Sequence, residues 1–176
     1  MYKKRGQIWV ETVIYTLIAL VMIGLVLTYV EPKIEEIQDK TIIEESVEVM
    51  EDMNSIFSEI VQGGAGNKRL VKLGVKKGMF KIDAPADKII FEVESKHTYS
   101  QLDKDISIGN IIAHTDELGG KLYMVYLTLD YKGTYNITFA GGDKLKTISK
   151  ASNPYNLLIS NRGKQGTLNE IDIEIK

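Results

Sequence analysis

From Thr12 to Val30 the chain carries no charged side chain: TVIYTLIALVMIGLVLTYV. This run of 19 residues matches the roughly 17–25 needed to cross a bilayer as one helix. Everything after it is mixed in polarity. The chain therefore reads as a membrane-inserted N-terminal segment carrying an aqueous remainder, and any fold must cover that apolar surface with lipid or with other chains. An ordinary secretory signal has a shorter apolar core followed by a small-residue cleavage site. Here Val30-Glu31-Pro32-Lys33 leads directly into an acidic helical pattern, so the apolar segment is expected to be retained.

Charge divides by segment. Between Glu31 and Gln62 ten Asp/Glu stand against two Lys, whereas from Asn67 to Lys176 seventeen Lys/Arg stand against thirteen Asp/Glu. An acidic segment beside a mildly basic one argues against nucleic acid as a partner. It allows the helix of one copy to complement the head of another; a solvated acidic face is the plainer alternative. With no Cys in the chain, disulfides, Cys-ligated zinc and a thiol nucleophile are excluded.

Beyond Pro32, apolar residues recur at Ile34, Ile37, Ile43, Val47, Met50, Met53, Phe57, Ile60 and Val61. The spacings, mostly three and four, are those of one helix face. Glu35, Glu36, Asp39, Glu44, Glu45, Glu48, Glu51, Asp52 and Glu59 fall on the other. One helix from about Ile8 to Gln62 is expected, roughly 80 Å long at 1.5 Å per residue. Pro32 either kinks it or opens a second helix. The polar face has too few Lys for coiled-coil pairing or for a membrane-surface helix, so packing against the following domain is the simplest use of the apolar face.

Gly63-Gly64-Ala65-Gly66-Asn67 is a helix stop. Short runs with strand composition follow it: Leu70–Val75, Met79–Asp83, Ile89–Glu94, Leu122–Tyr131, Tyr135–Phe139, Lys144–Ser149, Asn156–Ser160 and Ile171–Ile175. Val125, Leu127 and Leu129 alternate with Tyr126, Thr128 and Asp130. Ile171, Ile173 and Ile175 alternate with Asp172 and Glu174. Such alternation between turns predicts an antiparallel β-sandwich-like head, with Ala140-Gly141-Gly142-Asp143 as a hairpin turn. The fold class is thus α+β: a long N-terminal helix, a Gly-rich linker at 63–68 and a β-rich head at 69–176. Neither His97 nor His114 has metal-ligand spacing beside it, and Asp103-Lys104-Asp105 with Asn110 is an incomplete calcium pattern. No hydrolase motif is present. The reading is non-enzymatic, without cofactor or metal. Asn136-Ile137-Thr138 fits the N-glycosylation rule.

The first eleven residues are MYKKRGQIWVE. Lys3, Lys4 and Arg5 directly before the apolar run favour a cytoplasmic N-terminus with the remainder outside. Glu11 stands at the edge of the run. A carboxylate in hydrocarbon costs several kcal/mol, so an acid there is a functional hypothesis by default; a headgroup-level Glu favoured by the helix dipole is the alternative.

Together, Lys3-Lys4-Arg5-Gly6 and Gln7-Ile8-Trp9-Val10-Glu11 resemble the class III signal peptide of archaeal type IV pilins. In that family a membrane peptidase cuts after the Gly, on the cytoplasmic side of the apolar segment. Many members then begin with Gln, have Glu four residues later and continue as an apolar helix. All three features match here; Trp9 departs, where the best-known pattern has Ser. The resemblance covers roughly the first 60 residues and none of the head. It implies a leader at 1–6, a mature helix at 7–62 (7–30 apolar, 31–62 amphipathic) and a subunit that polymerises into an extracellular filament, for adhesion. It also implies a prepilin peptidase, an assembly ATPase and a membrane platform protein as partners. Cleavage would give Gln7 a positive α-amine, and losing three positive side chains would take the net charge from −2 to −5. An amine of one subunit paired with Glu11 of its neighbour would offset the burial of both and set axial register. A minor subunit that primes or caps the filament, and a single-span protein displaying a β-sandwich binding head, are the alternatives.

Overall fold

The computed structural model describes the backbone from Lys3 and the side chains from Trp9, both through Lys176. Helix α1 spans Lys3–Gln62 and contains Pro32. Helical backbone thus continues through the proline, and no second helix begins there. The chain divides into two units, one ending at Gln38 and the other comprising Asp39–Lys176.

In the first unit every large apolar side chain from Trp9 to Ile37 is exposed, from 36% at Val30 to 72% at Tyr29. Two of its threonines hide their hydroxyls in the helix. Thr16 Oγ1 donates to the Thr12 carbonyl at 2.8 Å and Thr28 Oγ1 to the Gly24 carbonyl at 2.9 Å, so both hydroxyls are satisfied within the helix.

The second unit is built from the rest of α1 and two β-sheets. Its strands are β1 (Lys68–Leu73), β2 (Met79–Asp83), β3 (Lys88–Ser95), β4 (Ile106–Ile108), β5 (Ile111–Gly119), β6 (Leu122–Asp130), β7 (Tyr135–Phe139), β8 (Leu145–Ser149), β9 (Tyr155–Gln165) and β10 (Leu168–Ile175). Sheet A has the order β1-β9-β10-β7, and sheet B the order β4-β5-β6-β3-β2-β8. All pairings are antiparallel except β7 with β10. The α+β class with a β-rich head is therefore as expected, with one parallel pair inside it.

Alternation decides which residues form the core. Val125, Leu127 and Leu129 of β6 and Ile171 and Ile173 of β10 are all at most 1% exposed. Ile43, Met50, Met53, Phe57 and Ile60 of α1 join the same cluster, again at most 1% exposed. Burying a side chain of this size stabilises by roughly 1.5–3 kcal/mol. Phe57 lies 5.1 Å from Tyr131, centroid to centroid, and the Tyr131 hydroxyl donates to Asn54 Oδ1 at 3.1 Å. Burial pushes the Tyr131 phenol well above its ordinary range.

The end of α1 is fastened to sheet A. Gly63 N donates to Glu59 O at 2.9 Å, and Gly64 turns the chain at φ +86°. Asn161 of β9 then works on both sides of the turn: its Nδ2 donates to Ile60 O at 3.2 Å and its backbone N to Asn67 O at 2.9 Å. The Ile60 carbonyl, one of those a helix terminus leaves open, is thereby satisfied by a strand about 100 residues further along.

Three expectations are corrected. Ala140–Asp143 is a tight turn, with Gly142 N donating to Phe139 O at 3.1 Å, but it is not a hairpin: β7 lies in sheet A and β8 in sheet B. The pull comes from β10, where Ile173 O accepts from Ala140 N at 3.0 Å and Asp172 Oδ1 from Gly141 N at 2.8 Å. Asp172 itself is fully buried rather than solvent-facing. Asp39 is 5% exposed and stands on the apolar stripe four residues before Ile43, not on the acidic face; it pairs with the Lys77 ammonium and accepts from Lys96 N at 2.7 Å.

Candidate functional site

The expected assembly site is the start of α1. Lys3, Lys4, Arg5, Gly6 and Gln7 lie outside the residues with described side chains. Glu11 is described. It is exposed on the helix, at the N-terminal edge of an apolar surface that continues through Val30. One helix in the described chain is long and apolar enough to cross a membrane. A monomer with such a surface is incomplete in water, and its side chains require lipid or like chains around them. Glu11 is then a carboxylate held at the boundary of a medium that disfavours it unless a cation meets it there.

Asn136 lies on β7 at the margin of sheet A, half-buried, with its Nδ2 donating to Gln165 Oε1 at 3.0 Å. The sequon hydroxyl, Thr138 Oγ1, donates to Asp172 Oδ1 at 2.8 Å and is buried. A glycan on Asn136 has to displace Gln165. Asp172 also binds the Arg162 guanidinium, which reaches toward Glu170 and Glu174 on either side. Sequence reading missed this cluster. Its only signal is an Asp at an alternating strand position flanked by Ile171 and Ile173, which looks like any outward residue until the half-exposed Arg162 is found covering it.

His114, on β5, sits between two carboxylates. Nδ1 lies 2.8 Å from Asp105 Oδ1, and Nε2 lies 2.8 Å from Asp116 Oδ1. Tyr126, its cross-strand partner on β6, has its ring 6.3 Å away; Glu92 of β3 and Lys81 of β2 pair with each other further across the same sheet. The hydrogen bonds to Asp105 and then Asp116 raise the His114 pKa above its ordinary 6.5. Both ring nitrogens face acceptors, so the protonated ring suits the position best. Asp105 is therefore tied up by a histidine rather than grouped with Asp103 and Asn110. Among the described residues, no three His, Cys, Asp or Glu side chains converge as metal ligands.

A group whose pKa is raised by folding adds stability below its unfolded value, and that contribution disappears as pH climbs through the folded value. Attachment of the segment before β4 to β5 should accordingly be firmest below about pH 6.5 and loosen above it. Amide exchange at Asp103, whose N–H donates to Thr115 O, checks this: protection should fall with rising pH in the natural protein and stay flat in His114→Gln, after correction for intrinsic exchange.

An apolar groove of about 280 Å³ runs beside α1, between Ile42, Val49 and Met50 on one wall and Leu73, Val75 and Phe80 on the other. Glu45 and Lys76 close one rim at 2.7 Å.

No family model, curated protein or solved structure matches this chain.

Proposed function

We propose that this protein is the precursor of a filament subunit of the archaeal type IV pilin kind, cut after Gly6 and polymerising through its N-terminal helix. The observation that carries this reading is the exposed apolar surface of α1 from Trp9 to Val30, headed by the carboxylate of Glu11 and joined to a folded β-rich head. An anchor needs the apolar surface but not the acid. A polymer needs both: the surface packs against its copies, and the acid meets the α-amine that cleavage exposes on a neighbour. The peptidase, assembly ATPase and platform protein belong to the same proposal. So does a cytoplasmic N-terminus with the head outside, and an adhesive filament as the product.

Co-expression with an archaeal prepilin peptidase, followed by intact-mass measurement, tests the first step. The chain should lose the mass of Met1 through Gly6, and Gly6→Val should block the loss. An uncut chain in membranes where the peptidase is active overturns the reading. It would favour a single-span protein that displays its head as a binding module, for which the groove beside α1 is the natural ligand site.

A further inference from the structure

We infer that the outer face of β1 is a docking surface for α1 of a second copy of this chain, and specifically for the acidic stripe centred on Ser55. The inference rests on the proposed filament and names one contact between its heads.

β1 pairs with β9 alone and forms one margin of sheet A. Arg69 and Val71 sit opposite Ile159 and Leu157, which are fully buried, so the intervening Lys68, Leu70 and Lys72 point outward. Leu70 is 62% exposed and lies across from Leu158. The other cations on this face, Arg162 and Lys176, are already engaged with Glu170, Asp172 and Glu174. Among the described residues Lys68 and Lys72 have no carboxylate partner. What remains is an apolar knob between two free cations.

The complement lies on α1. Glu51, Ser55 and Glu59 follow one another at four-residue spacing, all exposed, on the side opposite Met50, Met53, Phe57 and Ile60. Neither Glu51 nor Glu59 has an ion-pair partner among the described residues, so a single copy leaves both sets of charges unmet. The spacings agree. Glu51 to Glu59 is about 12 Å along a helix at 1.5 Å per residue, and Lys68 to Lys72 is about 13 Å along a strand at 3.3 Å per residue. Leu70 then falls over Ser55, the small residue between the two acids. Pairing of β1 with a second β1 is opposed by Lys68, Arg69 and Lys72 meeting their own kind. Because the two patches differ, the contact is head-to-tail and can repeat without closing. One such contact is weak, since exposed ion pairs contribute little individually; it gains effect only when the helices already hold the copies together.

The chain has no Cys, which makes cross-linking clean. In the full-length protein, Ser55→Cys with Leu70→Cys should give interchain disulfide-linked species under mild oxidation, both in membranes and in sheared filaments. Adding Lys68→Glu and Lys72→Glu should cut that yield about fivefold or more, and adding Glu51→Lys and Glu59→Lys to the same chain should restore it. Filaments that form without the cross-link, or whose yield ignores the charge reversals, overturn the contact and leave the filament reading standing. If no filaments form, the filament reading fails, and the membrane sample decides the contact: a reversal-sensitive, swap-rescued cross-link upholds it and its absence overturns it.

Discussion

Glu11→Gln should abolish filament formation while membrane insertion and head folding remain normal. Gln keeps the size of Glu and one acceptor oxygen, removes the charge and turns the second oxygen into an NH2 donor. At about 4 Å and an effective dielectric near 20, the attraction between an α-amine and a carboxylate is about 4 kcal/mol. Desolvation of both ions takes back part of it. A net loss of about 2 kcal/mol per subunit is still more than tenfold in each addition step, and it compounds along a polymer. The larger effect is on register: without the pair, apolar helices can slide past one another with little penalty. Filaments counted by electron microscopy should vanish in Glu11→Gln and Glu11→Ala, with precursor levels in membranes unchanged. Normal filaments from both would remove the charge pair from the proposal.

The largest effect on stability should come from Asp172. Its carboxylate is fully buried and accepts from Thr138 Oγ1, Gly141 N and the Arg162 guanidinium. Asp172→Ala leaves a buried hydroxyl and a backbone N–H without acceptors, at about 1–3 kcal/mol each. Arg162, half-exposed, can turn toward Glu170 or Glu174 and recover some of its interaction. A net loss of about 3 kcal/mol is expected, lowering the thermal midpoint by about 10 °C for a unit of this size. Asp172→Asn keeps an acceptor and should lose less. Unfolding followed by circular dichroism in detergent would show the order natural, Asn, Ala; an Ala variant as stable as the natural protein would mean that water takes the carboxylate's place.

Much of the architecture could be read from periodicity. The period of three and four in Ile43 to Ile60 and the period of two in Val125 to Leu129 are direct imprints of burial, and both recur in the core. β5 escaped because its inward positions include Ala113 and Thr115. Neither is large or greasy enough to mark a strand, and the inward hydroxyl of Thr115 is satisfied by Ser100, whose Oγ donates to it at 2.7 Å and whose N donates at 3.2 Å. Asp39 and Asp172 were misplaced for a related reason. Charge is a reliable sign of the surface until a partner neutralises it: Lys77 reaches Asp39 from 38 residues away, and Arg162 meets Asp172 across the β9–β10 pairing, whose bulge between Glu170 and Ile171 no residue pattern announces. The pairing of β7 with β10 instead of β8 is likewise a long-range choice. At the N-terminus the legible features were chemical ones: three cations, a glycine, an acid and an uncharged run, each with its own physical meaning.

The union of β1 with β9 also has a consequence in time. Lys68–Leu73 finds its hydrogen-bonding partner only in Tyr155–Ser160, so during synthesis β1 waits while more than eighty further residues are added. Loop closure over that distance is slow, and a waiting strand is a template for aggregation. Lys68, Arg69 and Lys72 act as gatekeepers through this interval, spacing like charges along the exposed backbone so that nascent chains repel one another until β9 arrives.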